Sequence, residues 1–317
     1  MEQNSRTVSG DHPMKFSVLI CTYNRPELLD RALTSLIETC REKPDEIVIV
    51  NGGDGRADRV VENKMQAAEC NKVQIKLIKT VNKNLAASRN IGLRHCFGDI
   101  IAMTDDDAQV FPNWVTLMKQ NHREHPEAGA VGGLVLGTNT DSLVGKVADV
   151  NTFPSWPEPQ YVRTLPGVNI SYKRHVIENV GLQDETLFRG EDVDYNWRVQ
   201  QLGYKVYFDP RIKVNHHHRP TVKAFLNQHY MYGRAYYLVR RKWPDMYCVY
   251  PRRIHRFRDV LKVGNFLASL LYEPVRASRK ASSLGSRLRL LPMIFMAEFA
   301  WKGGMLMQAC RESQSNN

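Results

Sequence analysis

No C-x-x-C pair occurs among the six cysteines (Cys21, Cys40, Cys70, Cys96, Cys248, Cys310), so neither metal-ligand spacing nor a disulfide framework is supported. Free thiols in a reducing compartment are the expectation. No stretch reaches roughly 18 uninterrupted apolar residues, which argues against a membrane-spanning helix. The N-terminal "MEQNSRTVSGDHPMK" lacks an apolar core segment. That argues against a secretory signal and for a cytoplasmic location. Internal repeats and low-complexity stretches are absent, which excludes repeat architectures. No glycine follows the first predicted strand, where the chain runs "TYNRPELL". A nucleotidyltransferase would want a glycine-rich phosphate loop there.

What is present is a globular composition. The 317 residues are 43% hydrophobic and 24% charged, enough for one large domain or a domain with an appendage. The net charge of +11 favours anionic partners: nucleotides, nucleic acid or an acidic membrane surface. No basic-aromatic motif accompanies the charge, so nucleic acid is not an expected partner.

Along the chain, "KFSVLICTY", "DEIVIVN", "VQIKLIKT" and "GDIIAMT" read as strands. Between them, Leu28, Leu29, Ala32, Leu33, Leu36 and Ile37 recur at helical spacing, and "NLAASRNIGLRHC" reads as a helix. This alternation predicts an α/β fold with a mostly parallel sheet flanked by helices. In such sheets ligands bind beyond the carboxyl ends of the strands, where "TYNRP", "NGGD" and "TDDD" all fall.

Beyond residue 130 the pattern changes. "AGAVGGLVLG" predicts a strand, and residues 138–164 read as a loop region with little periodicity. "GVNISYKRHVIENVG" predicts a strand running into a helix. "GEDVDYNWRVQQLGY" predicts a helix with Val193, Trp197, Val199 or Gln200, and Leu202 near its buried side. "KVYFDPRIKVNHHH" reads as short strands. From Arg219 onward the chain is helical, Arg-rich and broken by Pro and Gly. Two readings stay open there: a basic amphipathic segment lying on a membrane, or helices packed onto the first domain.

Three clusters carry chemistry. Asp105, Asp106 and Asp107 sit in a row at a strand end, where like charges repel. One Asp would serve as a helix cap; three suit a hard divalent cation, Mn²⁺ or Mg²⁺, which removes the repulsion. In "FRGEDVDYNWR", helix-start chemistry suffices for Glu191 and Asp194. A functional reading needs one carboxylate aimed at a substrate hydroxyl as general base, and spacing does not show that. In "VNHHHRP", His216 and His218 share one side of an extended stretch, and one of the three histidines suits a metal or phosphate contact. Arg89 near a helix entry suits either a phosphate fork or a surface salt bridge.

Taken in order, "SVLICTYNRPELLDRALTSL", "DEIVIVNGGD", "NLAASRNIGL", "GDIIAMTDDDAQVFPNWV", "GVNISYKRHVIENVGL", "FRGEDVDYNWRVQQLGY" and "FDPRIKVNHHH" resemble glycosyltransferase family 2, whose fold is GT-A. The resemblance covers residues 15–218. It implies a Rossmann-like sheet and an inverting transfer of sugar from a nucleotide diphosphate donor, UDP-sugar by default, to a glycan or lipid-linked acceptor. Asp105 to Asp107 match the D-x-D element, with Asp107 as metal ligand, Asp105 on ribose or metal, and His216 as a further ligand. Asp192 matches the catalytic base. Thr22, Arg25, Asp106 and Arg89 fall on the donor side; Gly167, Asn169 and Glu191 fall on the acceptor side.

One position departs from the family pattern. Asn51, with Asp54 three residues on, stands where an Asp usually reads the nucleobase. The processive "Q-x-x-R-W" element is missing, which implies single-sugar addition. A catalytically silent nucleotide-sugar-binding or scaffold protein on the same fold is the alternative. The expected organisation is a flexible tail (1–14), the GT-A domain (15–218) and a basic helical extension (219–317). Its aromatic and basic residues suit an anionic membrane's inner face.

Overall fold

The structure, a computed structural model, describes residues 14–246 and 257–315. The tail expected over 1–14 lies outside the described residues except Met14, which packs against the core. The sheet begins with β1 (Phe16–Thr22), β2 (Glu46–Asn51), β3 (Gln74–Lys79) and β4 (Ile100–Asp105). They lie side by side in the order β3-β2-β1-β4, all parallel. The apolar runs of β1, β2 and β4 are buried on both faces, as inner parallel strands require, whereas β3 at the sheet's edge is exposed or half-buried. Val18 and Ile20 enter one apolar layer and Leu19 the other, the alternation of an extended chain.

The second half of the sheet is mixed. β8 (Ile170–Lys173) runs antiparallel to both β4 and β6 (Ala128–Gly137), and β6 pairs parallel with β9 (Lys205–His216). β5 (Ala108–Val110) and β7 (Gln160–Val162) both add antiparallel to β9. The parallel pairing read from the sequence thus fills the first half and recurs in the second between β6 and β9.

Helices cover both faces. α1 (Pro26–Thr34) buries Leu29, Ala32 and Leu33 and runs into a π-turn at Ser35–Thr39. α2 (Arg56–Cys70) and α4 (Trp114–Glu124) share that layer. α3 (Leu85–Leu93), α6 (Arg174–Val180) and α7 (Glu191–Gln201) cover the other face. Asn84 caps α3 by accepting a hydrogen bond from the Ala87 N–H, the role its short amide suits.

Four sequence expectations are corrected. Residues 138–164 are not simply a loop: α5 (Leu143–Asn151) and β7 lie within them. Val144, Val147 and Ala148 are buried against α8 (Val222–Lys242) and α10 (Leu284–Ser315), partners far along the chain. Residues 205–216 form one strand, whose pairing with β6 skips from Asp209 to Lys213 at Pro210. Leu202 is 52% exposed, because α7 ends before it. Pro274 and Pro292 do not break the C-terminal helices but sit inside α9 (Phe257–Ser278) and α10.

The C-terminal helices are anchored and exposed at once. Phe225 of α8 and Leu290, Ile294 and Ala297 of α10 bury themselves with α5. Val239 of α8 packs on Val193 of α7. The opposite faces are open: Leu267 and Leu271 of α9 and Leu288 and Phe299 of α10 are each more than half exposed. Residues Leu284–Gln314 are long and apolar enough to cross a membrane by length and composition, although no uninterrupted apolar run marks them. A third of their most apolar window is already buried in protein.

Candidate functional site

A cleft of about 560 Å³ opens at the carboxyl ends of β1 and β4. Strand geometry delivers its residues. Thr22 ends β1 and Asp105 ends β4, so Asp106 and Asp107 follow directly into the crevice. The β5–β9 register pairs Ala108 with His216, which sets His216 beside Asp107. The backbone N–H of His217 donates to the Asp107 carbonyl at 3.1 Å and fixes this crossing. From the far wall, Gly190 turns the chain into α7 with φ +78°, a conformation glycine adopts without steric cost. That turn presents Glu191 and Asp192 to the cleft.

The carboxylates are individually wired. Thr22 Oγ1 donates to Asp106 at 2.7 Å, and Arg25 donates to Asp107 at 2.6 Å. Arg89, 3% exposed, spans Glu191 at 2.9 Å and Asp105 at 3.1 Å. Burial works against the Arg89 charge, yet Asp105 and Glu191 more than reverse it and raise its pKa. Gly167 lies so close to this guanidinium that a Cβ there would fall 2.5 Å from Nη1. Its N–H donates to Asp192 at 3.0 Å, and the Val193 N–H donates to the other Asp192 oxygen at 2.8 Å. Two backbone donors therefore set the orientation of this carboxylate.

Burial dominates the proton affinities. It raises Glu191 to about 7, with Asp192 adding to the rise and Arg89 opposing it. Asp106 also rises to about 7, through burial first and then the Asp107 charge, against Arg25. Burial pushes Asp107 the same way, but His216, and after it Arg25 and Arg219, outweigh that and hold it well below the usual carboxylate range.

The structure gathers Thr22, Arg25, Arg89, Asp105, Asp106, Asp107, Gly167, Glu191, Asp192 and His216 around one cleft. Three expected residues lie elsewhere. Asn51 is 2% exposed, and its amide is spent on Asp58, the Asp54 carbonyl and the Gly53 N–H. Asp54 pairs with Arg56 at the surface. Asn169 is fully buried, accepting from the Trp114 indole and donating to the Leu134 and Ile212 carbonyls. Its role is to tie strands together beneath the site.

Sequence reasoning missed Arg219, Lys83 and Tyr232, which also line the cleft. Arg219 follows the histidine cluster directly and forms no ion pair among the described residues, although its charge reaches Asp107 across the cleft. A lone arginine carries no pattern, and only its neighbourhood to "NHHH" could have marked it.

The donor set fits a divalent cation. Asp105, Asp107 and His216 offer ligand atoms within 4.8 Å of one another. Asp107 Oδ1 is buried without a hydrogen bond and faces His216 Nε2 across 3.3 Å. Hard oxygens with one imidazole suit Mn²⁺ or Mg²⁺.

Comparison with known proteins agrees with this geometry. The family model described as Glycosyl transferase family 2 matches residues 17–170, and that described as Glycosyl transferase family group 2 matches residues 100–308. The glucosyl-dolichyl phosphate glucuronosyltransferase of Haloferax volcanii is 29% identical over 228 residues, covering 64% of this chain and 69% of that protein. A poly-β-1,6-N-acetyl-D-glucosamine synthase of Staphylococcus aureus is 26% identical over 210 residues, 64% of this chain and 50% of the synthase. The chain thus spans about half the length of that relative. The mannosyltransferase PcManGT of Pyrobaculum calidifontis, solved with GDP-Man and Mn²⁺, matches with a TM-score of 0.63 at 16% identity. The match covers 94% of this chain and 88% of that one, and shows a shared fold.

Proposed function

The chain belongs to glycosyl transferase family 2, and from that premise we propose that it transfers a single sugar, with inversion, from a nucleotide diphosphate-sugar to an acceptor hydroxyl. The observation that carries this reading is the meeting of two carboxylate sets in one cleft: Asp105 and Asp107 with His216 on one wall, Asp192 on the other. Asp192 is the general base. Its two oxygens are aimed by the Gly167 and Val193 N–H groups, and it takes the acceptor proton as that oxygen bonds to the anomeric carbon. The bond from the anomeric carbon to the diphosphate oxygen breaks on the opposite face. Arg25 and Arg219 supply charge where the leaving diphosphate develops it. A bound Mn²⁺ or Mg²⁺, held by Asp105, Asp107 and His216, would add positive charge to the diphosphate.

Arg89 acts as a positioning residue, since its guanidinium is taken by Glu191 and Asp105. UDP-sugar remains the preferred donor. With the Asn51 amide spent, base recognition passes to Tyr23, Asn82 and Lys83, which line the same cleft. The acceptor is a glycan or a lipid-linked saccharide. The activity belongs at a membrane surface, on its cytoplasmic face; the exposed leucines of α9 and α10 support the membrane contact. The sheet and site over 15–218 and the helices over 219–317 form the two functional parts.

The test is calorimetric titration of UDP, GDP and dTDP into the full chain with Mn²⁺, then with EDTA. One nucleotide should bind, only with metal, and Asp107→Ala should abolish the binding. No binding to any of the three would defeat the reading.

A further inference from the structure

The stretch that carries Glu191 and Asp192 is tied off by one ammonium. Lys242 of α8 pairs with Asp184 at 2.6 Å and with Asp194 at 2.7 Å, so both ends of residues 184–194 meet at a single cation. Inside the stretch, Asp184 Oδ1 accepts from the Thr186 N–H at 2.9 Å and the Thr186 hydroxyl at 2.6 Å, a local turn that suits Asp. Leu187 then packs into an apolar cluster with Val193 and Val239. At the far end Asp194 is fully buried, and it also accepts from Arg198 at 3.0 Å and from the Trp243 indole at 2.7 Å. A stretch pinned at this many points moves as one piece, and Asp192 moves with it.

Glu185 joins that piece to the donor side of the cleft. Its Oε2 accepts from Lys83 Nζ at 2.9 Å, its Oε1 from the Asn90 amide at 3.0 Å, and its backbone carbonyl from the Asn84 amide at 2.8 Å. Asn90 and then Lys83 hold its carboxyl below the usual glutamate range. Lys83 and Asn84 line the cleft, whereas Glu185 stands behind them. Asn90, 1% exposed, completes the seam on the Gln183 backbone, donating to its carbonyl at 2.9 Å and accepting from its N–H at 2.8 Å. The seam is uneven along its length. Asn90 is locked in, but the Lys83 side chain is 63% exposed and can turn toward a phosphate.

We propose that Glu185 is a positioning residue, which registers the stretch carrying Asp192 against the lip that holds the donor. A donor drawn to Lys83 and Asn84 pulls on Glu185, and the rigid stretch behind it sets Asp192 against the acceptor oxygen. A misplacement of about 1 Å in such a group costs on the order of 10²-fold in rate, so the seam has a catalytic consequence although none of its bonds touches the reacting atoms. This role rests on the transferase reading and names how the two walls of its cleft are coupled.

The test is amide hydrogen–deuterium exchange over residues 186–196 of the full chain, with and without Mn²⁺ and whichever of UDP, GDP and dTDP binds. The Val193 and Asp194 N–H groups report directly, because they donate to the Asp192 carboxylate and the Gly190 carbonyl. In the parent, nucleotide should slow their exchange about tenfold, the size of one charge-assisted bond. Glu185→Ala should keep the nucleotide affinity and lose the slowing. Glu185→Gln, which retains an acceptor oxygen for Asn90, should restore most of it. Slowing that survives in Glu185→Ala, or that is missing from a parent that binds nucleotide, would overturn the proposal and leave the transferase reading standing. Loss of nucleotide binding in Glu185→Ala would put the residue's effect on the donor alone and remove its role toward Asp192. A parent that binds none of the three nucleotides would defeat the transferase reading and the coupling with it.

Discussion

Arg89 and Leu271 break the same rule in opposite directions. Arg89 is a cation only 3% exposed inside the sheet domain; Leu271 is an apolar side chain 67% exposed on a C-terminal helix. Burying a charge is costly unless it is paired, and Arg89 has Glu191 and Asp105. Exposing one leucine is ordinary, but a helix face of them marks a surface that meets something apolar. The sheet domain thus spends its irregularities on pre-set charge at one cleft. The C-terminal helices spend theirs on an open apolar face. Neither pattern serves stability, and each points to a ligand of a different kind.

The largest effect expected is on the cleft side. Asp192→Asn keeps an oxygen for one backbone donor but removes the proton acceptor. Turnover should fall by roughly 10²–10⁴-fold, with nucleotide affinity and melting temperature unchanged. Near-normal turnover would remove Asp192 from the mechanism and leave the cleft a binding site only.

Arg89→Met comes next. It leaves Glu191 and Asp105 facing each other without their shared cation, and breaking such buried pairs costs about 3–5 kcal/mol. Chemical denaturation should show that loss. A variant as stable as the parent would mean that Glu191 takes up a proton on losing its partner. The contrast with the C-terminal helices would then weaken, because the buried charge would be dispensable.

His216→Ala tests the cation site more narrowly. Metal-dependent nucleotide affinity should drop at least by the roughly 10–100-fold typical of altered metal-site partners. Metal-free binding should stay the same. If both fall equally, His216 touches the nucleotide rather than a metal.

His122 offers a test of the sheet domain's interior by pH. It is 3% exposed with Nε2 2.9 Å from Ser171 Oγ, and burial, helped by Lys173, pushes its pKa down to about 3. The unfolded chain takes up this proton near pH 6.5, roughly its ordinary value. The folded chain does so only near 3. Its contribution to stability is therefore intact above the unfolded value and declines as pH falls from there toward 3, by up to about 1.4 kcal/mol per pH unit. His122→Gln should flatten that part of the stability–pH curve. An unchanged slope would show that carboxylates alone set the acid limit.

The same contrast explains what could be read beforehand. Val18 to Ile20, Ile47 to Val50 and Ile100 to Met103 are short runs whose burial follows from their own composition, so the strands were legible. The D-D-D, E-D and H-H-H clusters were legible because like charges seldom gather without a use. Asn51 misled because its partner Asp58 sits on α2, a helix no quoted motif had marked. Asn169 misled because its neighbours come from β6 and β9, distant in sequence. α5 escaped notice for the same reason: its apolar stripe has meaning only against α8 and α10. Local pattern carries strands and charge clusters; it does not carry a contact whose other half sits on an element outside the motif, whether seven residues away, as Asp58 is from Asn51, or forty-three, as Ile212 is from Asn169.

The smallest expected change in stability belongs to the open face. Leu271→Glu with Phe299→Glu alters side chains that are 67% and 59% exposed and line no core cluster. Unfolding free energy should move by no more than about 0.5 kcal/mol per site. Leu33→Glu, at a fully buried position of the same residue type, should prevent folding. The open-face pair should act elsewhere. Each leucine or phenylalanine that enters a bilayer contributes about 1.5–3 kcal/mol, and each nearby basic residue about 1 kcal/mol on an anionic surface. Co-sedimentation with vesicles of phosphatidylcholine and phosphatidylserine should therefore collapse in the double variant while metal-dependent nucleotide binding persists. Should the double variant instead melt well below the parent, that face would be covered by a second copy of the chain. The division between a cleft that holds charge and a face that meets lipid would then give way to an ordinary protein interface.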